Sequence, residues 1–223
     1  TGGILYSAHP KLHSKAWFDT HVRFDHWPLG ALCPIRHGEL GGADSETFLG
    51  LIPNGLSEME HPDWGGWGGR LKKQPGSEKQ WIDVESNLDP DNLGHTISRW
   101  APHFQNDYQA RLDWCVKEFD QVNHPPRPTL NGDMSLRPIE IFAQPGQRID
   151  LDATGSSDID NDKLFYEWTF YPEAGTYSGQ IDIENANNKT SSFVIPKDAS
   201  GTSLHIVLVL NDDGDPSLTR YRR

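Results

Sequence analysis

At Asn123-His124-Pro125-Pro126-Arg127-Pro128, three prolines fall within four residues, and this stretch most constrains what the chain can fold into. Each proline fixes its own φ and removes a backbone donor, so the stretch reads as an extended, stiff connector. The vocabulary changes at the same place: seven of eight Trp and nine of ten His precede Pro125. The 223 residues fit two small domains, at roughly 100–200 residues per domain. The expected division is a first domain over residues 1–122, a connector over 123–128 and a second domain over 129–223.

The first part mixes helical patterns with glycine-rich loops. From Ile97, apolar residues recur at Trp100, Phe104, Tyr108, Leu112, Cys115 and Phe119, steps of three or four that mark one helical face. Pro102 sets the start or a kink of that helix. Lys15 to Phe24 predicts another helix, with Ser14 as its N-cap. Phe48-Leu49-Gly50-Leu51-Ile52-Pro53 reads as a buried strand entering the Pro53-Asn54-Gly55 loop. Helices around such a strand predict an α/β layer that one or two strands leave incomplete.

The second part has a different period. Ile139, Ile141, Ile149, Leu151, Phe193 and Ile195 alternate within short runs, and His205–Leu210 is a nearly continuous apolar strand. Turn clusters such as Gln144-Pro145-Gly146 and Asn211-Asp212-Asp213-Gly214 separate them. Short strands with regular turns predict a β-sandwich of about 95–100 residues, with Trp168 in its core. Arg220-Tyr221-Arg222-Arg223 looks like the opening of a last strand, so an exposed edge and a truncated sandwich are expected.

With 20 Lys+Arg against 32 Asp+Glu, the net charge of −12 argues against a nucleic-acid polymer as partner. No apolar run approaches the roughly 20 residues that span a bilayer, so no membrane partner is expected. Thr1–Pro10 lacks a basic start and an apolar core, so an export signal is expected outside this chain. Cys33 and Cys115 fit two buried thiols or a single bridge equally well.

The most unusual stretch runs from Asn54 to Arg70 and contains Glu58, Glu60, His61, Asp63 and Trp64-Gly65-Gly66-Trp67-Gly68-Gly69-Arg70. Glycine allows close backbone approach, indole faces suit the apolar face of a sugar, and carboxylates handle protons or metal. Together they describe a polar-ligand pocket; the competing reading is a surface loop whose tryptophans pack inward. Glu39 and Asp44 flank Gly41-Gly42 and read as solvated turn carboxylates. His9, His13, His21, His26 and His37 show no metal-ligand spacing and read as structural. Asp158-Ile159-Asp160-Asn161-Asp162 alternates three carboxylates, which suits a hard cation such as Ca²⁺. Lys163 and Thr169 break the EF-hand pattern, and an Asx-rich turn explains the same residues. Asn188-Lys189-Thr190 is an N-glycosylation acceptor triplet.

Several of these segments resemble a family. Trp27-Pro28-Leu29-Gly30-Ala31-Leu32, Leu51-Ile52-Pro53-Asn54-Gly55-Leu56 and His61-Pro62-Asp63-Trp64-Gly65-Gly66-Trp67-Gly68-Gly69-Arg70 look like the later part of a nucleoside-hydrolase-like domain. Phe104-Gln105-Asn106-Asp107-Tyr108 and Arg111-Leu112-Asp113-Trp114 fit the helix ending that domain, and Asn123-His124-Pro125-Pro126 its linker. Leu151–Asp158 and Pro172–Tyr177 are similar to its C-terminal immunoglobulin-like domain. These are secreted microbial cellulose-binding proteins. The resemblance implies an α/β domain, its C-terminal part present here, followed by an all-β immunoglobulin-like sandwich.

For function it implies a glycosidase. A metal-bound water attacks the sugar carbon through an oxocarbenium-like state, and Ca²⁺ sits in an aspartate cluster that this chain lacks. The upstream half of the same protein is then a partner, and the ligand is a polysaccharide or a nucleoside-like sugar. This chain would supply one wall of the pocket. Glu60, His61 and Asp63 would serve catalysis, with Asp63 completing the Ca²⁺ shell; Asn54, Trp64, Trp67 and Arg70 would bind substrate. The rival reading is a non-catalytic cellulose- or carbohydrate-binding protein. A third makes the sandwich a spacer or lid, with Tyr166, Phe170, Tyr171 and Tyr177 turned toward the first domain.

Overall fold

Ser14 starts the first helix as its cap, the hydroxyl oxygen accepting from the Trp17 N–H at 3.1 Å. Helix α1 (Lys15–Phe18) runs directly into a π-helical turn, Asp19–Arg23, where Lys15 and Arg23 both pair with Asp19. This computed structural model describes residues 14–32, 35–36, 39–40, 48–77, 79–84 and 94–223. Cys33, His37, Asp44, His9 and His13 lie outside the described residues, and of Glu39 only the backbone is described. The chain divides into two compact units, one of residues 1–52 and 59–123, the other of residues 53–58 and 124–223.

In the first unit, α2 (Leu29–Leu32) follows the π turn, and α3 (His95–Ser98) precedes α4 (Ala101–Trp114). Pro102 occupies the first turn of α4, where a missing N–H costs no helical bond. The buried face of α4 is not the apolar stripe expected from spacing. Ala101, Phe104, Asp107, Ala110 and Asp113 face inward, whereas Tyr108, Cys115 and Phe119 are exposed. Buried carboxylates require partners. Asp107 accepts from Arg111 Nε at 2.5 Å, and Asp113 from His26 Nε2 at 2.8 Å and Lys117 Nζ at 2.7 Å. Burial alone would raise the Asp113 carboxyl; the Lys117 and His26 hydrogen bonds outweigh it and hold the group below its ordinary value.

The expected strand at Phe48–Pro53 is absent. The segment turns on itself, with the Leu51 N–H donating to the Phe48 carbonyl and the Ile52 N–H to that of Leu49. Phe48 and Leu51 are exposed and Ile52 is buried, a reminder that a short apolar run specifies no period. Among the described residues, strands of this unit form two antiparallel pairs. They are β1 (Ile35–Arg36) with β2 (Glu39–Leu40), and β3 (Leu71–Lys73) with β4 (Trp81–Asp83). The result is mixed helix and antiparallel sheet; no parallel ladder is present among the described residues.

The second unit holds two three-stranded antiparallel sheets. One has the order β5-β8-β7, built from Arg148–Asp152, Thr190–Val194 and Ile183–Glu184; the other has β10-β9-β6, from Thr219–Arg222, Ile206–Asn211 and Phe165–Phe170. Alternation sends Ile149 and Leu151 inward from β5, opposite Phe193 and Ser191 of β8. They share one core with Trp168 and Tyr166 of β6 and with Leu208 and Leu210 of β9. Trp168 is 3% exposed and its indole N–H donates to the Asn188 carbonyl, so this core matches the sequence reading. Tyr166 and Tyr177 belong to the same core and Phe170 packs against it, so these rings are committed within their own unit. Ile139 and Ile141 join no strand, and the neighbouring Phe142 is 95% exposed.

The last residues form a buried strand, contrary to the expected bare edge. The Tyr221 N–H on the outward side of β10 donates to the Asn54 carbonyl, and the Ile139 N–H donates to the Arg223 carbonyl, each at 2.9 Å. The connector is likewise tied down. Arg127 and Ser157 exchange both backbone hydrogen bonds, the Thr129 N–H reaches Ser156 Oγ, and the His124 N–H reaches the Asp160 carboxylate at 2.7 Å.

Gly55 makes the β10 contact possible. Its φ is +89°, and a Cβ there would lie 2.1 Å from the Tyr221 carbonyl oxygen. Gly55→Ala should therefore lower stability by at least about 2 kcal/mol. Urea unfolding of the variant against the wild type measures the loss.

Candidate functional site

The loop between Glu58 and Arg70 is built around a short 3₁₀ turn, Pro62–Trp64. His61 lies flat on the Trp64 indole, with ring centroids 4.0 Å apart and planes 6° from parallel. The His61 Nδ1 is 3.9 Å from the Asp63 carboxylate, and Arg70 Nε donates to the Asp63 carbonyl at 3.0 Å. Glu60, His61 and Asp63 are exposed; Trp64 and Arg70 are half-buried. The structure thus brings His61, Asp63, Trp64 and Arg70 together on an open surface.

Trp67 and Asn54 stand apart from that group. Trp67 has no exposed surface and meets Phe104 of α4 edge-on, at 6.3 Å between centroids. The glycines around it serve packing. Gly66 and Gly69 exchange backbone hydrogen bonds, and a Cβ on Gly69 would lie 2.7 Å from the Ile97 side chain. The close approach that glycine permits is made here to a neighbouring helix. Asn54 is buried in the second unit, where its Oδ1 accepts from the Leu56 N–H at 2.9 Å and closes an Asx turn.

Sequence reasoning missed the β3–β4 hairpin. Its ladder pairs Leu71 with Asp83, Lys72 with Ile82 and Lys73 with Trp81. Trp81 is 39% exposed, and Lys73 Nζ lies 5.9 Å above its ring. Strand β3 also contacts the Pro62–Trp64 turn, so the hairpin adjoins the loop that carries the His61–Trp64 stack. The signal was present in Pro75-Gly76 between short runs ending in Trp81-Ile82, a hairpin pattern.

Asp63 joins no cluster of possible metal ligands among the described residues. Asp158, Asp160 and Asp162 do, each offering a carboxylate oxygen within 4.8 Å of the others. The Asp160 N–H donates to the Asp158 carboxylate, so the Asx turn expected from sequence is formed. Asp158 Oδ2 is buried without a hydrogen-bond partner. Burial, followed by the charges of Asp158, Asp213 and Asp160, raises the Asp162 carboxyl above its ordinary value. An all-oxygen donor set of three carboxylates, with His124 Nδ1 3.1 Å from Asp160, fits a hard cation.

Two stretches of the chain match domain models of one family. Residues 5–71 match the nucleoside hydrolase-like domain of cellulose-binding Sde182, and residues 148–223 match the C-terminal domain of cellulose-binding protein Sde0182. The chain belongs to this family. It is also similar to the solved structure of a nucleoside hydrolase-related hypothetical protein from Saccharophagus degradans that is associated with carbohydrate metabolism. Identity is 36% and the TM-score 0.83, over 99% of this chain and 54% of that one. The chain therefore spans about half the length of that protein. A comparison with curated proteins finds no match.

The two loop tryptophans should separate in mutagenesis. Trp67→Ala empties a closed site and should cost about 3–5 kcal/mol; Trp64→Ala removes a half-exposed ring and should cost no more than about 2 kcal/mol. Equal urea midpoints for the two variants would contradict the assignment of Trp67 to the core.

Proposed function

We propose that this chain is a carbohydrate-binding portion of a secreted, cellulose-associated protein, holding plant-type polysaccharide on the open face of its first unit. The observation that carries this reading is the His61–Trp64 stack beside Arg70, on a loop adjoined by the hairpin bearing Trp81. Aromatic faces grip the C–H faces of pyranose rings, while neighbouring polar groups orient hydroxyls. The family's cellulose-binding description agrees with it. The second unit serves as an immunoglobulin-like module with Ca²⁺ at Asp158, Asp160 and Asp162. There the ion would neutralise the acidic loop and lend it rigidity.

Cleavage of a glycosidic bond by metal-assisted water attack is assigned, in the same reading, to the upstream half of the protein. Glu60, His61 and Asp63 are exposed, whereas acid–base and metal chemistry on sugars is ordinarily set in water-excluded sites. Retention on insoluble cellulose tests the binding role. The wild type should be retained, and Trp64→Ala/Trp81→Ala should lose on the order of tenfold in affinity, since apolar ring surface buried against sugar contributes about 25 cal/mol per Å². Retention unchanged in the double variant refutes the platform. Release of sugar from nucleosides or aryl glycosides by this chain alone would return the catalytic role to it.

The cation is tested by thermal unfolding. At about a hundredfold excess over Kd, binding adds about 2.7 kcal/mol, or some 5–10 °C for a chain of this size. Asp158→Asn/Asp162→Asn should abolish the rise. Because the Asp162 carboxyl is raised above 3.8, its burden on stability is present at neutral pH and disappears as pH falls below that value. The Ca²⁺ effect should fade over the same range. A midpoint equal in Ca²⁺ and in chelator at pH 7 excludes the site.

A further inference from the structure

The β3–β4 hairpin differs in charge from the chain around it. Across Arg70–Val84, Arg70, Lys72, Lys73 and Lys79 stand against Glu78 and Asp83, while the whole chain carries −12. Beyond Leu71 the hairpin lies between the two family matches, which end at residue 71 and resume at 148. Its side chains meet solvent on both faces: Lys72, Lys73, Trp81, Ile82 and Asp83 are exposed, and Leu71 is half-buried. An isolated two-stranded hairpin is marginal in water, so large apolar side chains on its surface gain from a partner.

Register places one lysine beside one apolar side chain on each face, Lys73 with Trp81 and Lys72 with Ile82. An indole with an ammonium group 5.9 Å from its ring centre suits a sugar ring that carries a carboxylate. The ring's C–H face lies on the indole, and the carboxylate meets the lysine in a charge-assisted hydrogen bond. The chain's overall negative charge does not cancel this attraction. At physiological salt, charges beyond about 8 Å are largely screened, so a polyanion at the hairpin responds to the local cations. A neutral glucan would use only the ring, and a second copy of this acidic chain would bring net repulsion.

We propose that the β3–β4 hairpin makes acidic, uronate-bearing polysaccharide a ligand class of this protein, with Trp81 as the stacking residue, Lys73 beside it on the same face as the carboxylate partner, and Lys72 and Lys79 adding to the positive charge of the hairpin. The proposal rests on the carbohydrate-platform reading above and adds the charge of the ligand to it.

Affinity electrophoresis of the full chain in native gels tests it, with polygalacturonate, hydroxyethylcellulose or no polymer in the gel. Polygalacturonate should retard the wild type. The K72Q/K73Q/K79Q variant should bind it on the order of tenfold more weakly, with retardation by hydroxyethylcellulose unchanged. Unchanged urea midpoints for that variant establish that the substitutions touch only the surface. Equal retardation of wild type and triple variant by polygalacturonate overturns the proposal. So does competition by free polyglutamate as strong as by free polygalacturonate. Retardation by hydroxyethylcellulose alone overturns the proposal and leaves the neutral platform standing; retardation by polygalacturonate alone supports it and removes the neutral ligand; retardation by neither overturns both.

Discussion

A strand at the edge of a sheet carries outward N–H and C=O groups that need partners, and the second unit is organised around meeting that need at β10. The Tyr221 N–H finds the Asn54 carbonyl and the Arg223 carbonyl finds the Ile139 N–H, so the final strand is flanked by β9 on one side and loop segments on the other. The Asn54 turn comes from far earlier in the sequence, which makes the unit discontinuous: residues 53–58 belong with residues 124–223. Burying the strand also buries its arginines. Arg222 is fully buried, with Nη1 donating to the Arg137 carbonyl at 3.0 Å and Nη2 lying 3.4 Å from the Asp133 carboxylate. The Arg223 guanidinium lies over the Tyr171 ring, and burial pushes its pKa down to about 10. A guanidinium tolerates burial only with such planar or hydrogen-bonded partners.

Features read correctly from sequence were those that local chemistry dictates. Ser14 caps because a hydroxyl before a helical run satisfies an orphan N–H, and Pro102 sits where a helix can spare one. Trp168 fills the two-sheet core because its strand alternates cleanly. Features misread were decided by distant partners. The inward face of α4 contains Asp107 and Asp113, and Asp113 is held there by Lys117 one turn on together with His26, far earlier in the chain. Arg220–Arg223 is legible as the opening of a last strand, but its edge reads as exposed because no local signal announces that Asn54 will cover it.

The candidate site shows the same limit at closer range. Trp64 and Trp67 are three residues apart in one glycine-rich string, yet one is half-exposed under a histidine and the other is the largest fully buried side chain. Glycine tells only that a backbone is approached closely; whether by ligand or by Ile97 depends on where α3 packs. Residue type was informative about the aromatic and polar character of the surface. It was silent about which indole faces outward, and it drew attention away from Trp81, whose hairpin carries no glycine-tryptophan string.

The distribution of titratable groups in the first unit bears on what the unit can do. Among the described residues, its buried carboxylates are paired: Asp113 with His26 and Lys117, Asp107 with Arg111. Burial pushes His103 down to about 4, so through the neutral range that imidazole is uncharged and offers no anchor for an anionic ligand. Glu60, His61 and Asp63 stay exposed, with Arg70 and Trp64 half-buried beside them. A polymeric sugar lying on such a surface needs repeated shallow contacts rather than enclosure, because each ring it stacks adds a small increment along the chain. Bond cleavage has the reverse requirement, a few groups held in one water-excluded place. Within this unit, paired charge maintains the fold while open carboxylates and the exposed Trp81 ring remain at the surface, and it is on that division that the proposed retention of a polysaccharide rests.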